Sequence, residues 1–287
     1  MKIQTFFDKD TFTLTYLVFD EVTKDAVIID PVYNFDYASG ALTTEQVQAL
    51  TEFLNKNQLK LHYILETHAH ADHLTSSQLL KEAFPPSKVA ISKKIKIVQE
   101  TFKPVFNLPV SFPTDGSQFD KLIEDNEEFA AGSLIIRAIP TPGHTPACLS
   151  YLINKEAVFT GDALFMPDYG TGRCDFPKGD AKTLYQSITK GLYSLPENTR
   201  VFVGHDYQPN GRELKFESTI SEEKLSNKQL NANMSQSEFV NMRETRDKTL
   251  SAPRLLLPSL QVNIRAGALP EKDFNGKVYL KIPLKIK

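Results

Sequence analysis

The sequence predicts an α/β fold in which hairpins and helical crossovers are mixed. Two observations point there. Runs of β-branched and aromatic residues precede and follow each of the first helical segments. Clusters of histidine, aspartate, glycine and proline fall where the strands end, and folds of this class carry their function on such loops.

Phe12–Phe19 is rich in aromatic and β-branched residues and reads as a strand. Residues 2–30 hold two or three strands, with a hairpin turn at Lys24-Asp25 and a stop at Asp30-Pro31. In the helix that follows, Thr43 and Gln46 have capping-box spacing, and Val47, Leu50 and Leu54 share a face. Leu59–Thr67 alternates Leu61, Tyr63 and Leu65 as a strand. Leu74–Phe84 reads as a helix stopped by Pro85-Pro86. Lys88–Ser92 reads as a short strand, and residues 104–128 as loop with short strands. Leu134–Ile139, Leu149–Ile153 and Ala157–Thr160 are strands, Ala181–Leu192 a helix, and Val201–Val203 a strand ending at Gly204. Beyond Tyr207 the chain turns polar and helical, with a second capping box at Ser235 and Glu238, and it closes on Val278–Ile282. Residues 1–210 therefore read as a catalytic core, and 211–287 as a C-terminal helical extension and closing segment of the same domain. The stretch 208–250 is long enough to cover a site or to form a homodimer contact.

The chain has 287 residues, enough to bury a sizeable core. Its 33 basic and 35 acidic residues leave a net charge of −2, which argues against a nucleic-acid partner and gives no support for an anionic membrane surface. Apolar runs such as Ala26–Ile29 are far short of a membrane span, and the first residues hold no signal-peptide core. A cytoplasmic protein is expected. The two cysteines, Cys148 and Cys174, cannot make a disulfide scaffold. Cys148 reads as a small buried apolar residue; Cys174 follows Arg173, but no base stands beside it in sequence.

Six histidines would be unremarkable if scattered, but three lie within six positions in His68-Ala69-His70-Ala71-Asp72-His73. In an extended segment His68 and His70 project to one side. A turn into the next helix then brings Asp72 and His73 round the same point, with small alanines leaving room. Three more strand-end loops have the same character: Pro140-Thr141-Pro142-Gly143-His144, Thr160-Gly161-Asp162 and Gly204-His205-Asp206-Tyr207. Prolines and Gly143 restrict the backbone before His144, and Gly161 permits a sharp turn before Asp162. Five of the six histidines thus converge on one candidate metal centre; His62, inside a strand and without evident partners, reads as structural.

This order of motifs resembles the metallo-β-lactamase superfamily, with HxHxDH filled by His68, His70, Asp72 and His73, and the later elements by His144, Asp162 and His205. The resemblance spans most of residues 10–210 and implies an αββα sandwich with the metal site at one edge of the two sheets. Thr141–Cys148, Phe159–Leu164, Gly172–Phe176 and His205-Asp206-Tyr207 look like the persulfide dioxygenases within it. Met166–Arg173 and Leu257–Gly267 look like their bacterial beta-lactamase-like hydrolase branch.

In that family His68, His144 and Asp162 correspond to the ligands of one Fe(II) per chain. Three ligands on one face leave open positions for a sulfur nucleophile and O2. His70, Asp72, His73 and His205 then orient the ligands or hold a second metal. The implied reaction converts glutathione persulfide, O2 and water to sulfite and glutathione, in sulfide detoxification. Arg173 and Tyr207 occupy family positions near the substrate, whereas Tyr185 reads as packing. Where mitochondrial relatives carry an arginine this chain has Gln229, and its 162–173 loop is longer, so the thiol is anchored differently. The alternative implied by the same inventory is a glyoxalase II-type thioester hydrolase with two Zn ions. There His68, His70, His144 and Asp162 hold one ion, and Asp72, His73, His205 and the shared Asp162 the other.

Overall fold

The structure, a computed structural model, describes residues 1–284. The first half of the chain contributes β1 (Lys2–Asp8), β2 (Thr13–Phe19), β3 (Asp25–Ile29), β4 (Val32–Asp36) and β5 (Ala41–Thr43). It continues with α1 (Glu45–Lys56), β6 (Lys60–Leu65), β7 (Leu74–Thr75), α2 (Ser77–Ala83), β8 (Lys88–Ser92), α3 (Ile95–Val105) and β9 (Lys121–Ile123). The second half supplies β10 (Glu128–Ala131), β11 (Leu134–Pro140), β12 (Leu149–Ile153), β13 (Ala157–Phe159), α4 (Ala181–Gln186), β14 (Arg200–Phe202) and β15 (Glu217–Thr219). It ends with α5 (Ile220–Ser226), α6 (Gln236–Asp247) and α7 (Leu256–Asn263).

Two six-stranded sheets result, in the orders β1-β2-β3-β6-β8-β9 and β10-β11-β12-β13-β14-β15, with a small sheet β5-β4-β7 beside them. β2 explains why the sheets stack. All seven of its residues are buried, so both of its faces need a partner. Leu14, Tyr16 and Val18 face the second sheet, packing with Ile136, Tyr151 and Phe159. Leu17 and Phe19, one residue out of phase, join Val47, Leu50 and Leu54 of α1 and Val98 and Phe102 of α3. Leu184 and Ile188, at α4 and just beyond it, pack in the same cluster as β11 and β12. The sandwich is αββα, as the resemblance implies.

Several local expectations change in three dimensions. Thr43 and Gln46 do not cap α1: the N-cap is Thr44, without a side-chain bond. Gln46 is buried instead, its carbonyl accepting from the Val32 amide at 2.6 Å and the Thr15 hydroxyl at 3.0 Å. Leu74-Thr75 is withdrawn from α2 because those residues pair with Val32 and Tyr33 of β4. The helix expected through Leu192 keeps α geometry only to Gln186, then widens to a π turn over Ser187–Gly191 and tightens over Leu192–Ser194. α3 has no counterpart in the sequence reading, and β15 lies in a stretch read as helical. The capping box at Ser235 and Glu238 forms as expected at the start of α6. His62 is not without a partner: its Nε2 lies 2.7 Å from Asp25 Oδ1. Residues 278–282 carry no regular structure, although Gln261 exchanges two bonds with the Lys281 backbone. No helix among the described residues is long and apolar enough to cross a membrane.

The last helices are joined to the second sheet through a buried acid. Glu223 of α5 is fully buried and accepts from Ser218 Oγ at 2.5 Å and Asn227 Nδ2 at 2.8 Å; Asn227 also donates to the Gly170 carbonyl at 3.2 Å. Burial pushes its carboxyl up to about 8, against the pull of those two donors. The folded state therefore holds a proton that the unfolded chain releases near its ordinary value. Stability from this group is complete below the unfolded value and is lost as pH rises through about 8. Glu223→Gln is expected to remove that component, so that its Tm falls less than the wild type's between about pH 5 and 9. Parallel slopes for the two proteins in thermal unfolding would contradict this.

Candidate metal centre

Four strand ends meet at one edge of the sandwich. β6 runs through Glu66 and Thr67 into His68, β11 into the loop of His144, β13 into Asp162 and β14 into His205. Backbone bonds lock these ends together: the Leu149 amide donates to the Thr67 carbonyl at 2.9 Å, and Gly204 to the Gly161 carbonyl at 3.1 Å. Gly161 has φ +49°, and a Cβ there would lie 2.5 Å from Thr67 Oγ1. Only glycine lets the Asp162 loop come this close to the first histidine motif.

The ligand atoms of His68, His144 and Asp162 all lie within 4.8 Å of one another, with all three residues buried. Asp162 Oδ2 is 3.6 Å from His144 Nε2 and 4.0 Å from His68 Nε2. A divalent ion with ligands about 2.0–2.2 Å away places them no more than about 4.4 Å apart, so these separations suit one ion. Asp162 Oδ1 faces the other way, 3.3 Å from His205 Nε2, which lies 3.2 Å from Asp72 Oδ2. His70, Asp72 and His73 form a second set within the same 4.8 Å limit.

Tautomers follow from the hydrogen bonds. His144 Nδ1 donates to the Arg173 carbonyl at 2.6 Å, leaving the Nε2 lone pair free. The Thr67 hydroxyl donates to Asp30 Oδ2 at 2.7 Å and so accepts from His68 Nδ1 at 3.0 Å, which again frees Nε2. His73 Nδ1 lies 3.3 Å from Thr13 Oγ1, the head of a chain through Thr11 to Asp8. His70 differs, because its Nε2 faces Asp30 at 3.0 Å and Glu66 at 3.4 Å.

The atoms left without hydrogen-bond partners include His68 Nε2, His73 Nε2, Asp72 Oδ2 and Asp162 Oδ1. Buried polar groups are rarely left so, and both ring nitrogens of His70 and Nδ1 of His205 stand among them, so the unpartnered atoms cluster at one place. Four carboxylates, Asp30, Glu66, Asp72 and Asp162, surround five histidines in a largely dry setting. Burial raises the Asp162 carboxyl, yet His205, His68 and His144 hold it well below its usual range. The His205 imidazole, despite burial, is pushed up to about 9 by Asp162 and Asp72. Chemistry and geometry both fit a divalent metal, and iron and zinc are each compatible with imidazole and carboxylate donors.

A cavity of about 320 Å³ opens onto this cluster, with His144, Asp162 and Asp72 on its floor. Phe165, Tyr169 and Tyr207 form part of its wall, and the Tyr207 ring stacks on His205 with centroids 5.5 Å apart. Tyr207 is 36% exposed as a residue, yet desolvation of its phenol, reinforced by Asp72 and Asp162, raises that group well above its ordinary value, so it stays neutral. Arg173 also lines the cavity, but its guanidinium is held by both Asp175 oxygens at 2.5 and 2.6 Å and by the Ser251 carbonyl at 2.7 Å. Tyr185 lies away from the cavity and bonds the Met234 carbonyl at 3.1 Å. Burial pushes the Cys148 thiol up to about 12 and that of Cys174 higher still, leaving both as unreactive thiols.

Three supporting residues escaped the sequence reading. Asp30 and Glu66 had a signal, both as acids at strand ends and Glu66 also as a neighbour of the histidine motif. Asn263 of α7 had none: its Nδ2 donates to the carbonyls of both His70 and His73 at 2.8 Å across 190 or more positions of sequence. That contact ties the C-terminal segment to the ligand loop.

The metallo-beta-lactamase superfamily model matches residues 8–205. A protein named Glyoxylase B2 from Dictyostelium discoideum is 51% identical over 283 residues, covering 99% of this chain and 97% of that protein. Human mitochondrial persulfide dioxygenase ETHE1 is 31% identical over 266 residues, covering 92% of this chain and 88% of that one. The crystal structure of ETHE1 from Myxococcus xanthus has a TM-score of 0.75 at 33% identity, covering 93% of this chain and 100% of that one. With its strand-end ligands, its sandwich and relatives matched along nearly their whole length, the chain belongs to the metallo-beta-lactamase superfamily.

Proposed function

We propose that the protein is an iron-dependent persulfide dioxygenase acting on glutathione persulfide or a similar small persulfide, with O2 as co-substrate and sulfite as product. The observation that carries the reading is the set His68, His144 and Asp162, two imidazoles and one carboxylate gathered at the floor of a cavity that His144 and Asp162 line. This is the donor set of non-haem Fe(II) oxygenases. Iron(II) supplies the redox chemistry through which O2 reacts with a sulfur nucleophile. The chain's own residues prepare the site. Arg173 and Thr67 fix the two imidazoles, while Asp30 and Glu66 hold His70 from behind. Phe165, Tyr169 and Tyr207 restrict water at the reacting sulfur. The two ETHE1 relatives support the same chemistry.

One observation favours a second reading. Asp72, His73 and His205, with Asp162 shared, stand beside the first ligands where a second ion would sit, and the Dictyostelium relative is named a glyoxylase. A dinuclear zinc thioester hydrolase would use both sets.

Metal analysis beside an oxygen electrode separates the two. Protein loaded with iron under anaerobic conditions is expected to retain one iron per chain and to consume O2 when given glutathione persulfide. Two zincs per chain, no O2 uptake and rapid hydrolysis of an acyl-glutathione would sink the dioxygenase reading. His73→Ala sharpens the choice, since retained iron in that variant fits a mononuclear site.

A further inference from the structure

The C-terminal segment reaches the metal cavity. Arg246 at the end of α6, then Leu250, Pro253 and Arg254, line it beside the metal-ligand loops. Four arginines touch this cavity, and they are not equivalent. Arg173 is committed to Asp175 and Ser251, and Arg243 to Asp247, Thr171 and Gln229. Arg246 and Arg254 are exposed and, among the described residues, have no carboxylate within 4.0 Å. The same cavity is lined by Asp10, on the turn between β1 and β2, an exposed carboxylate with no cation within 4.0 Å among the described residues.

Single unpaired charges on a surface are ordinary. Two guanidiniums and one carboxylate left unpaired around one cavity are a charge pattern, and its complement is a ligand with two carboxylates and one ammonium. A glutathione tail has that composition: a γ-glutamyl α-carboxylate, its α-ammonium and a glycyl carboxylate. His144 and Asp162 line the same cavity as these exposed charges, so a tail held there keeps its sulfur within one cavity with the cluster. The cavity, at about 320 Å³, lies at the small end of the range for such ligands, about 300–1,000 Å³. A guanidinium can take a carboxylate through two parallel bonds. A tail ending only in phosphates would match the arginines but be repelled by Asp10.

We propose that Arg246 and Arg254 bind the two carboxylates of a glutathione tail and Asp10 its ammonium, so that the segment 243–254 selects the thiol carrier. This rests on the reading of the site as one for a glutathione-bound sulfur, which the dioxygenase and the thioester hydrolase share. It also gives the Gln229 difference a physical meaning. Gln229 is buried under Arg243, and the anion-binding charge lies further along the chain, on Arg246 and Arg254.

The test is calorimetric binding of S-methylglutathione to the metal-loaded protein, which needs no turnover. Arg246→Gln, Arg254→Gln and Asp10→Asn, all at exposed positions, are each expected to weaken binding about tenfold. The diethyl ester of S-methylglutathione should bind the wild type more weakly and respond little to either arginine change. An N-acetylated ligand should respond little to Asp10→Asn. Wild-type affinity retained by all three variants overturns the proposal, as does S-methyl coenzyme A binding more tightly than S-methylglutathione. Because binding is the readout, loss of affinity in the variants of a protein that takes up no O2 would leave this assignment standing while removing the dioxygenase reading.

Discussion

Asp162→Ala is expected to leave a folded protein that binds essentially no metal and has lost its activity. Asp162 stands between the two sides of the centre, with Oδ2 toward His144 and His68 and Oδ1 toward His205. Removing it leaves imidazoles with no anion between them and frees His205 to pair with Asp72 alone. Changes to groups that merely orient ligands cost about 10–100-fold in metal affinity or activity, so loss of a direct ligand should exceed that range. The backbone around it should survive, because Gly161 and the Thr160 hydroxyl, which donates to the Leu164 carbonyl at 2.8 Å, hold the turn independently. Plasma-emission analysis of the purified variant and its far-UV circular dichroism check this together. Full metal content in a folded Asp162→Ala protein would mean that the ligand set is misassigned.

Arg243→Ala is expected to produce the largest loss of stability outside the core, about 3–5 kcal/mol in urea unfolding of the metal-loaded protein. Arg243 is 1% exposed, and its guanidinium bonds Asp247 Oδ1 at 2.9 and 2.6 Å, Gln229 Oε1 at 3.0 Å and the Thr171 carbonyl at 3.2 Å. Asp247 Oδ2 in turn accepts from the Cys174 amide at 2.8 Å. Truncating the arginine strands a buried carboxylate, which costs more than the pair is worth when intact. The same bonds hold residues 171–174, and the Arg173 carbonyl among them orients His144. The double change Arg243→Met with Asp247→Leu is therefore expected to recover much of the stability but not the metal affinity. An Arg243→Ala protein within about 1 kcal/mol of the wild type would show that the network carries little weight.

Much of the site is legible in the sequence because its ligands lie on four short loops at strand ends. His68 to His73 stand together, and His144, Asp162 and His205 each follow a run that reads as a strand. The αββα core is legible for a related reason. A strand such as β2, apolar on both faces, demands a layer on each side.

Local errors arise where a side chain has two uses. Gln46 has the spacing of a cap, but it serves the Val32 amide because burial makes an unpaired amide more costly than an uncapped helix end. Ser235 and Glu238 stand exposed, with no competing partner nearby, and their capping box forms as the spacing says.

By itself, then, the sequence determined the fold class, the metal-binding character and the residues that can supply ligands, since all of these are written in local runs and short motifs. Only the tertiary structure decided what holds those ligands and what surrounds the open side of the centre. Asn263 beneath the ligand loop of His70 and His73, and the unpaired Asp10, Arg246 and Arg254 around the cavity, come from opposite ends of the chain. Hydrogen bonds and charge patterns depend on distance in space, and separations of 193 residues between His70 and Asn263 and 244 between Asp10 and Arg254 leave no periodicity from which that distance can be read.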